Sequence, residues 1–220
     1  MSFTTENYLK AICQMNEHHP ERKLVRLGEL AEELGVTPGT ITTMIRGLDK
    51  KGMVNYVARS GVKLTPKGRK DALRIIRRHR IIESFLVDIM KMDWAEVHED
   101  AEAMEHVISD QFLDRMDEML GFPDRDPHGD PIPASGADLP AIKSIPLSKA
   151  SLGEYEVSQV DDQEPRFLDW ISVNQLRPGQ RVTVTSIDLI SGVLNLKVPD
   201  VPTLLPVSLK IASQIRVLPV

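Results

Sequence analysis

The chain has 220 residues, 41% apolar, 27% charged and 5% aromatic, with one cysteine and a net charge of −5; that fits one large or two to three small globular domains at roughly 100–200 residues each. No apolar run reaches the roughly 18–20 residues of a membrane span, the N-terminal MSFTTENYLKAICQM lacks a signal peptide's basic-then-apolar layout, Cys13 alone makes no internal disulfide or multi-cysteine zinc site, and so few aromatics argue against a base-stacking single-strand binder, so a soluble, cytoplasmic protein is expected. Charge is uneven: residues 1–80 carry 16 Lys and Arg against 8 Asp and Glu, and residues 81–220 carry 11 against 24, which joins a basic unit suited to polyanions to an acidic one suited to cations.

Residues 4–18 repeat apolar positions at helical spacing, with Thr4 or Thr5 to cap and Glu6 in the first turn. A short helix spans 27–35 and ends at Gly35. A second spans 38–51, with Thr37 as N-cap, Pro38 in the first position and Gly52 as stop. Residues 53–68 alternate around Ser60-Gly61, the pattern of a tight hairpin. Thr65-Pro66 opens a long helix to about residue 91, and a further helix is expected from about Trp94 to Leu120. Residues 121–150 are rich in Pro, Gly and Asp and predict a loop or linker. After 150, five short β-rich runs predict a small barrel.

Two short helices followed by a hairpin form the layout of a winged helix-turn-helix. The front of its second helix is small: Thr37, Pro38, Gly39, Thr40, Thr42 and Thr43. Such a helix can sink into a major groove, where threonine methyls meet thymine methyls and hydroxyls meet base edges or phosphate. Arg26, Arg46, Lys50, Arg59 and Lys63 suit phosphates, which position a reader without specifying sequence. The alternative is an ordinary solvated basic face. The charge concentrated on one helix-helix-hairpin unit favours double-stranded DNA, with shape and methyl contacts weighing more than direct readout.

Four of the six histidines fall between residues 79 and 128, among acids. On one continuous helix, His98, Glu102, Glu105 and His106 would share an arc of about 100°. His79 and Glu83 stand at i and i+4 on the preceding helix. Nitrogen and oxygen donors in such stripes suit divalent transition metals. An acidic surface with local His–Glu hydrogen bonds would carry the same pattern.

The segments T-T-E-N-Y-L (4–9), T-P-K-G-R (65–69), R-H-R-I-I-E (78–83), H-E-D-A-E-A-M-E-H (98–106), V-I-S-D (107–110) and D-P-H-G-D-P-I-P (126–133) together resemble the diphtheria toxin repressor / iron-dependent repressor family, including its manganese transport regulators, over the whole chain. The resemblance implies a mainly α protein with a small β domain. Its parts would be a winged-helix DNA-binding domain (1–65), a helical dimerisation and metal-binding domain (66–133), a linker (134–150) and an SH3-like (FeoA-like) barrel (151–220).

By the same resemblance the primary metal site uses Asn7, Glu102, Glu105 and His106, and the ancillary site uses His79, Glu83 and His98. Gln163 or Glu164 are candidates to complete the second from the barrel. Iron-responding members carry Met and Cys at the positions of Asn7 and Glu102; manganese regulators carry Asp and Glu. A carboxylate at 102 is the harder donor and suits Mn²⁺. Asn7 offers only a neutral carbonyl oxygen, and Lys10 stands where manganese regulators carry a glutamate of a binuclear cluster. Asp126 and Asp130 stand where iron repressors carry the Ser and Asn that hold an anion with the arginine at Arg80, so an anion is not expected. Some manganese-responsive members instead use the P-H-G histidine, which would give Glu83, Asp126, His128 and Asp161 or Asp162 here; a loop-structuring hydrogen bond is the alternative role for His128.

The function implied is a homodimeric, metal-dependent transcriptional repressor, responsive to Mn²⁺ or Fe²⁺, with Co²⁺, Ni²⁺ or Zn²⁺ able to substitute in vitro. It would bind a palindromic operator and control metal-uptake genes. A winged-helix regulator with metal-independent DNA binding is the alternative. A hydrolytic metalloenzyme is a third reading. No nucleophile constellation or nucleotide-binding glycine loop supports it, so no enzyme, no small-molecule substrate and no membrane partner are expected.

Overall fold

The computed structural model describes residues 2–18, 22–140, 143–161 and 164–220. They fall into two compact units. The first runs up to His79 and includes Pro133–Pro140; the second comprises Arg80–Ile132 and the residues after Pro140. Among the described residues no helix is long and apolar enough to cross a membrane.

The first unit holds α1 (Phe3–His18), α2 (Leu27–Glu33), α3 (Pro38–Lys50), the hairpin β1 (Val54–Val57) and β2 (Gly61–Leu64), and the start of α4 (Pro66–Asp88). Leu9, Ile12, Leu30, Ile41, Ile45, Leu48, Val54, Val62 and Ile76 close its core. α3 begins where its sequence says it should. Thr37 is extended, its side chain accepts the Thr40 N–H, and Pro38 follows. The hairpin turn is one residue longer than the tight turn expected at Ser60-Gly61. Val57 pairs with Gly61, so Ala58, Arg59 and Ser60 form the loop, with Arg59 at φ 63°.

The T-P-K-G-R segment is structural. Thr65 Oγ1 donates to the carbonyl oxygens of Gly52 and Met53 and accepts the Gly68 N–H. A Cβ on Gly68 would lie 2.0 Å from the Met53 carbonyl oxygen, so only glycine lets the hairpin approach this closely. Arg69 Nε donates to Asp138 at 2.6 Å, tying Pro133–Pro140 to the same unit.

The second unit carries the rest of α4, then α5 (Val97–Met104), α6 (Asp110–Leu120) and a six-stranded antiparallel sheet. The strands are β3 (Ile145–Pro146), β4 (Gly153–Val160), β5 (Arg181–Asp188), β6 (Val193–Lys197), β7 (Leu205–Ser208) and β8 (Ile215–Pro219), in the order β3-β8-β4-β5-β6-β7. This is the mainly α architecture with a small β domain expected from sequence.

Four details differ from the sequence expectation. The single helix over 94–120 is two. α5 ends at Met104, with Glu105 at its C-cap, and Ser109 starts α6 by accepting the Phe112 N–H. Glu105 and His106 therefore lie at a turn, not along one helical stripe. The long helix α4 ends at Asp88 rather than near 91. Residues 145–149, expected in the linker, form β3 and a 3-10 turn whose Leu147 is fully buried in the sheet's core. Two further helices interrupt the β-rich tail: α7 (Pro165–Val173) and α8 (Leu209–Ala212). Ser208 caps α8 by accepting the Ile211 N–H, which takes the end of the expected V-S-L-K-I strand out of the sheet.

Candidate metal centre and nucleic-acid interface

The second unit converges its acids and histidines around Glu83, which is fully buried. One carboxylate oxygen, Oε1, lies 3.2 Å from His98 Nδ1; the other, Oε2, lies 3.8 Å from His128 Nδ1. The ancillary pair Glu83–His98 and the P-H-G histidine thus share one carboxylate. His98 Nε2 is 3.9 Å from Glu102 Oε1, and at the end of α5 His106 Nε2 is 3.4 Å from buried Glu105 Oε1.

His128 is held as a ligand would be. Its Nε2 is 2.9 Å from the Trp94 carbonyl oxygen. A carbonyl only accepts, so Nε2 carries the proton, and in the neutral ring Nδ1 presents its lone pair toward Glu83. The ring also stacks on Trp94, centroids 5.2 Å apart. A backbone carbonyl that fixes the tautomer of a metal-binding imidazole is the usual outer-shell arrangement. Two electron-pair donors facing each other at 3.8 Å fit a cation placed with them.

Glu83, Asp126 and His128, all buried, can bring ligand atoms within 4.8 Å of one another. Burial, and then the neighbouring Asp130 and Glu83 carboxylates, push the Asp126 carboxyl well above the ordinary carboxylate range, against the pull of Arg80 and His128. Asp126 Oδ1 also accepts the His128 and Asp130 N–H groups, which shapes the loop. The loop-structuring hydrogen bonds weighed for this loop are present, and the His128 ring faces Glu83.

Arg80 is answered from within. Its Nη2 is 3.1 Å from Asp130 Oδ1, its Nε is 3.6 Å from Asp126 Oδ2, and its Nη1 donates to the Pro131 carbonyl. Gln159 Nε2 donates to the same Asp130 oxygen at 3.0 Å. β4 bulges between Val157 and Gln159, and Val160 N–H donates to the His128 carbonyl at 3.0 Å. The loop bearing Asp126 and His128 is thus fastened to both α4 and β4.

Other candidates lie elsewhere. Glu164 is exposed and caps α7 by accepting the Arg166 N–H, so its side chain serves a helix start rather than a ligand set. Asp161 is exposed and bonded through its backbone to Gln214. Asp162 and Gln163 lie outside the described residues. In the first unit, Asn7 Oδ1 is buried and accepts no hydrogen bond among the described residues, an atom that a cation would satisfy. His79 is buried there too, with Nδ1 3.1 Å from Lys10 Nζ. Trp94, which supplies both carbonyl and ring to His128, was not singled out from sequence, and nothing local to it signals that role.

The nucleic-acid candidates are all on the first unit. Thr37, Pro38, Gly39, Thr40 and Thr43 are exposed on α3 and its cap, and Thr42 is half-buried. Thr42 and Thr43 hydroxyls donate to the Pro38 and Gly39 carbonyl oxygens at 2.8 and 3.0 Å. Their donors are used, so at a groove they can only accept hydrogen bonds or offer methyls. Thr37 and Thr40, whose hydroxyls lie 2.9 Å apart, share one hydrogen bond and keep one donor between them. Arg46, Lys50, Arg59 and Lys63 are exposed and form no ion pair among the described residues; Arg26, at the N-cap of α2, is 4.0 Å from Glu29.

Comparison with known proteins agrees with this layout. The family model described as "Iron dependent repressor, N-terminal DNA binding domain" matches residues 1–62, and "Iron dependent repressor, metal binding and dimerisation domain" matches residues 65–134. The diphtheria toxin repressor of Corynebacterium diphtheriae is 30% identical over 200 residues, covering 84% of this chain and 85% of that one. The iron-dependent repressor IdeR of Mycobacterium leprae is 29% identical over 215 residues, covering 89% and 92%. The solved structure of a manganese-dependent transcriptional repressor in complex with manganese superposes with a TM-score of 0.91 at 32% identity, covering 98% of this chain and 100% of that one. The chain therefore belongs to the diphtheria toxin repressor and iron-dependent repressor family.

Proposed function

We propose that this protein is a homodimeric transcriptional repressor whose operator binding requires a divalent metal, Mn²⁺ or Fe²⁺, and that it controls metal-uptake genes through a palindromic operator. The observation that carries the proposal is the buried and half-buried set of carboxylates and imidazoles on the second unit: Glu83 facing His98 and His128, with Glu102, Glu105 and His106 beside the end of α5.

Glu102, Glu105 and His106 form the primary ligand set, with Asn7 as the further donor that family resemblance assigns. Glu83, His98 and His79 form the ancillary set, and Asp126 and His128 extend it from the P-H-G loop. When bound, the metal supplies the positive charge that these carboxylates lack among themselves. Carboxylates and imidazoles without a thiolate favour Mn²⁺ and Fe²⁺ chemistry over the softest metals. Phe112, Met119 and Phe122, which are 54%, 55% and 67% exposed on and after α6, supply an apolar face for the partner copy. Two α3 helices then meet successive half-sites only when the dimer holds their spacing.

The test is a fluorescence-anisotropy titration of duplex DNA from the protein's own upstream region, with chelator, Mn²⁺ or anaerobic Fe²⁺. Binding at least tenfold tighter with metal is expected. Equal binding in chelator sinks the metal requirement and favours a metal-independent regulator. The phosphate contacts are tested alongside. Arg46→Ala is expected to weaken every duplex alike and to lower the slope of log affinity against log salt by about 0.9. An unchanged slope removes Arg46 from the interface.

A further inference from the structure

The sheet reaches the P-H-G loop through a chain of side chains that lies outside the proposed ligand sets. It starts at Arg216 on β8, whose Nε donates to Ser144 Oγ at 3.0 Å and whose Nη2 donates to the Ser144 carbonyl. Ser144 Oγ donates in turn to Gln159 Oε1 at 3.3 Å, and Gln159 Nε2 donates to Asp130 Oδ1 at 3.0 Å. Asp130 closes the loop: its N–H donates to Asp126 Oδ1 at 2.9 Å, and its carbonyl accepts the Asp126 N–H at 3.0 Å. Ser144 and Gln159 are both buried, where an unbonded amide or hydroxyl would be costly. The order of donors fixes which way the Gln159 amide points. Turned over, it would set its oxygen against the Asp130 carboxylate. The bulge of β4 sets this up, because a bulge re-aims a side chain: Gln159 pairs with Arg216 immediately after the register shift.

We infer that Gln159 and Arg216 are positioning residues for the metal: they hold Asp130, and through it the loop bearing Asp126 and His128, where these two and Glu83 can bring ligand atoms within 4.8 Å of one another. The sheet then takes part in the metal response by setting the loop. A loop fixed before the cation arrives loses less freedom on binding it, and partners that orient metal ligands are commonly worth about 10–100-fold in affinity. Asp130 Oδ1 takes one donor from Arg80 on α4 and one from Gln159 on β4. Removing Gln159 leaves the first tie and loosens the second, so affinity falls while the fold stands. Glu105 and His106 belong to the other ligand set, so the two sets respond differently. The inference rests on the metal-dependent function proposed for the chain and on the loop's place in its ligand set.

The experiment is Mn²⁺ binding to the full chain at fixed pH and salt, with free Mn²⁺ counted by its electron paramagnetic resonance signal. His128→Ala marks the binding step that uses the loop. Gln159→Leu is expected to weaken that step about tenfold and Arg216→Met about fivefold, each leaving the other step within about twofold. The double variant is expected to stay within about twofold of Gln159→Leu alone, because both residues act along one path. Neither substitution is expected to change the His128→Ala isotherm. Ser144→Ala cuts the same chain with a smaller change and takes the place of Gln159→Leu if that variant does not fold. Superimposable isotherms for wild type and the sheet variants overturn the inference. Equal weakening of both steps overturns it too, since that is what a general loss of structure gives, and so does a double variant whose loss is the product of the single losses. A wild-type chain that binds no Mn²⁺ sinks the metal-dependent function itself, and an isotherm that His128→Ala leaves unaltered removes the loop from the ligand set. Both of these results are read without any sheet variant, which keeps them distinct from failure of the inference.

Discussion

Glu105→Gln is expected to abolish metal-dependent operator binding while leaving the metal-free protein folded. Glu105 is fully buried, and its Oε1 lies 3.4 Å from His106 Nε2. Glutamine has the same shape without the charge that a bound metal would need. The metal-free form of the variant should therefore stay folded. Its response to metal should vanish. With metal at about a hundred times its dissociation constant, a protein that binds it only when folded gains about 2.7 kcal/mol. For a chain of this size that raises the melting temperature by roughly 5–10 °C. The variant should gain less than about 1 kcal/mol at the same metal concentration. Differential scanning fluorimetry with and without Mn²⁺ reads the shift, and the operator titration reads its consequence. A full metal-induced shift in Glu105→Gln would remove this residue from the ligand set.

Gly129→Ala is expected to have the largest effect on stability of any single methyl added to the second unit. Gly129 sits at φ 92°, where an L side chain is strained, and its Cβ would lie 2.0 Å from the Ser158 carbonyl oxygen. Strain at such a position costs about 1–3 kcal/mol by itself, and the overlap with backbone adds to it, for a total above about 3 kcal/mol. Ser158 is at the bulge of β4, and the adjacent Val160 N–H bonds His128. The loop bearing Asp126 and His128 must therefore separate from β4 to admit the methyl. Both tryptophans, Trp94 and Trp170, belong to this unit, so their fluorescence follows its unfolding. A fall in melting temperature of about 10 °C is expected. A fall under about 2 °C would mean that the loop is not held as described.

The parts legible from sequence are those whose signals are local. Thr37-Pro38 fixes the start of α3 because cap and first-turn proline act within four residues. The S-G hairpin and the V-T-V alternation of β5 are readable for the same reason. Ser109-Asp110 carried an equally local cap signal, but the apolar spacing ran across it and masked the break between α5 and α6. Glu164-Pro165 similarly announced α7, with Phe167, Leu168 and Ile171 at helical spacing, inside a stretch whose composition otherwise reads as β. The site divides differently. Residue types and spacing pointed to Glu83, His98, Glu102, Glu105 and His106. That one carboxylate faces both His98 and His128 depends on a loop 45 residues further along, and no periodicity encodes it. Lys10 and His79, 69 residues apart, meet only through packing, so the hydrogen bond between them has no signature in either segment.

The two-sided placement of Glu83 has a consequence for the shape of the dose-response. Under the proposed function, a metal held with His98 and one held with His128 would both draw on this one carboxylate, and two dications sharing one negative group would repel across a poorly screened interior. The two positions would then fill at separated concentrations, which is negative cooperativity, and the proposed repressor would grade its output over a wide span of metal supply instead of flipping at one threshold.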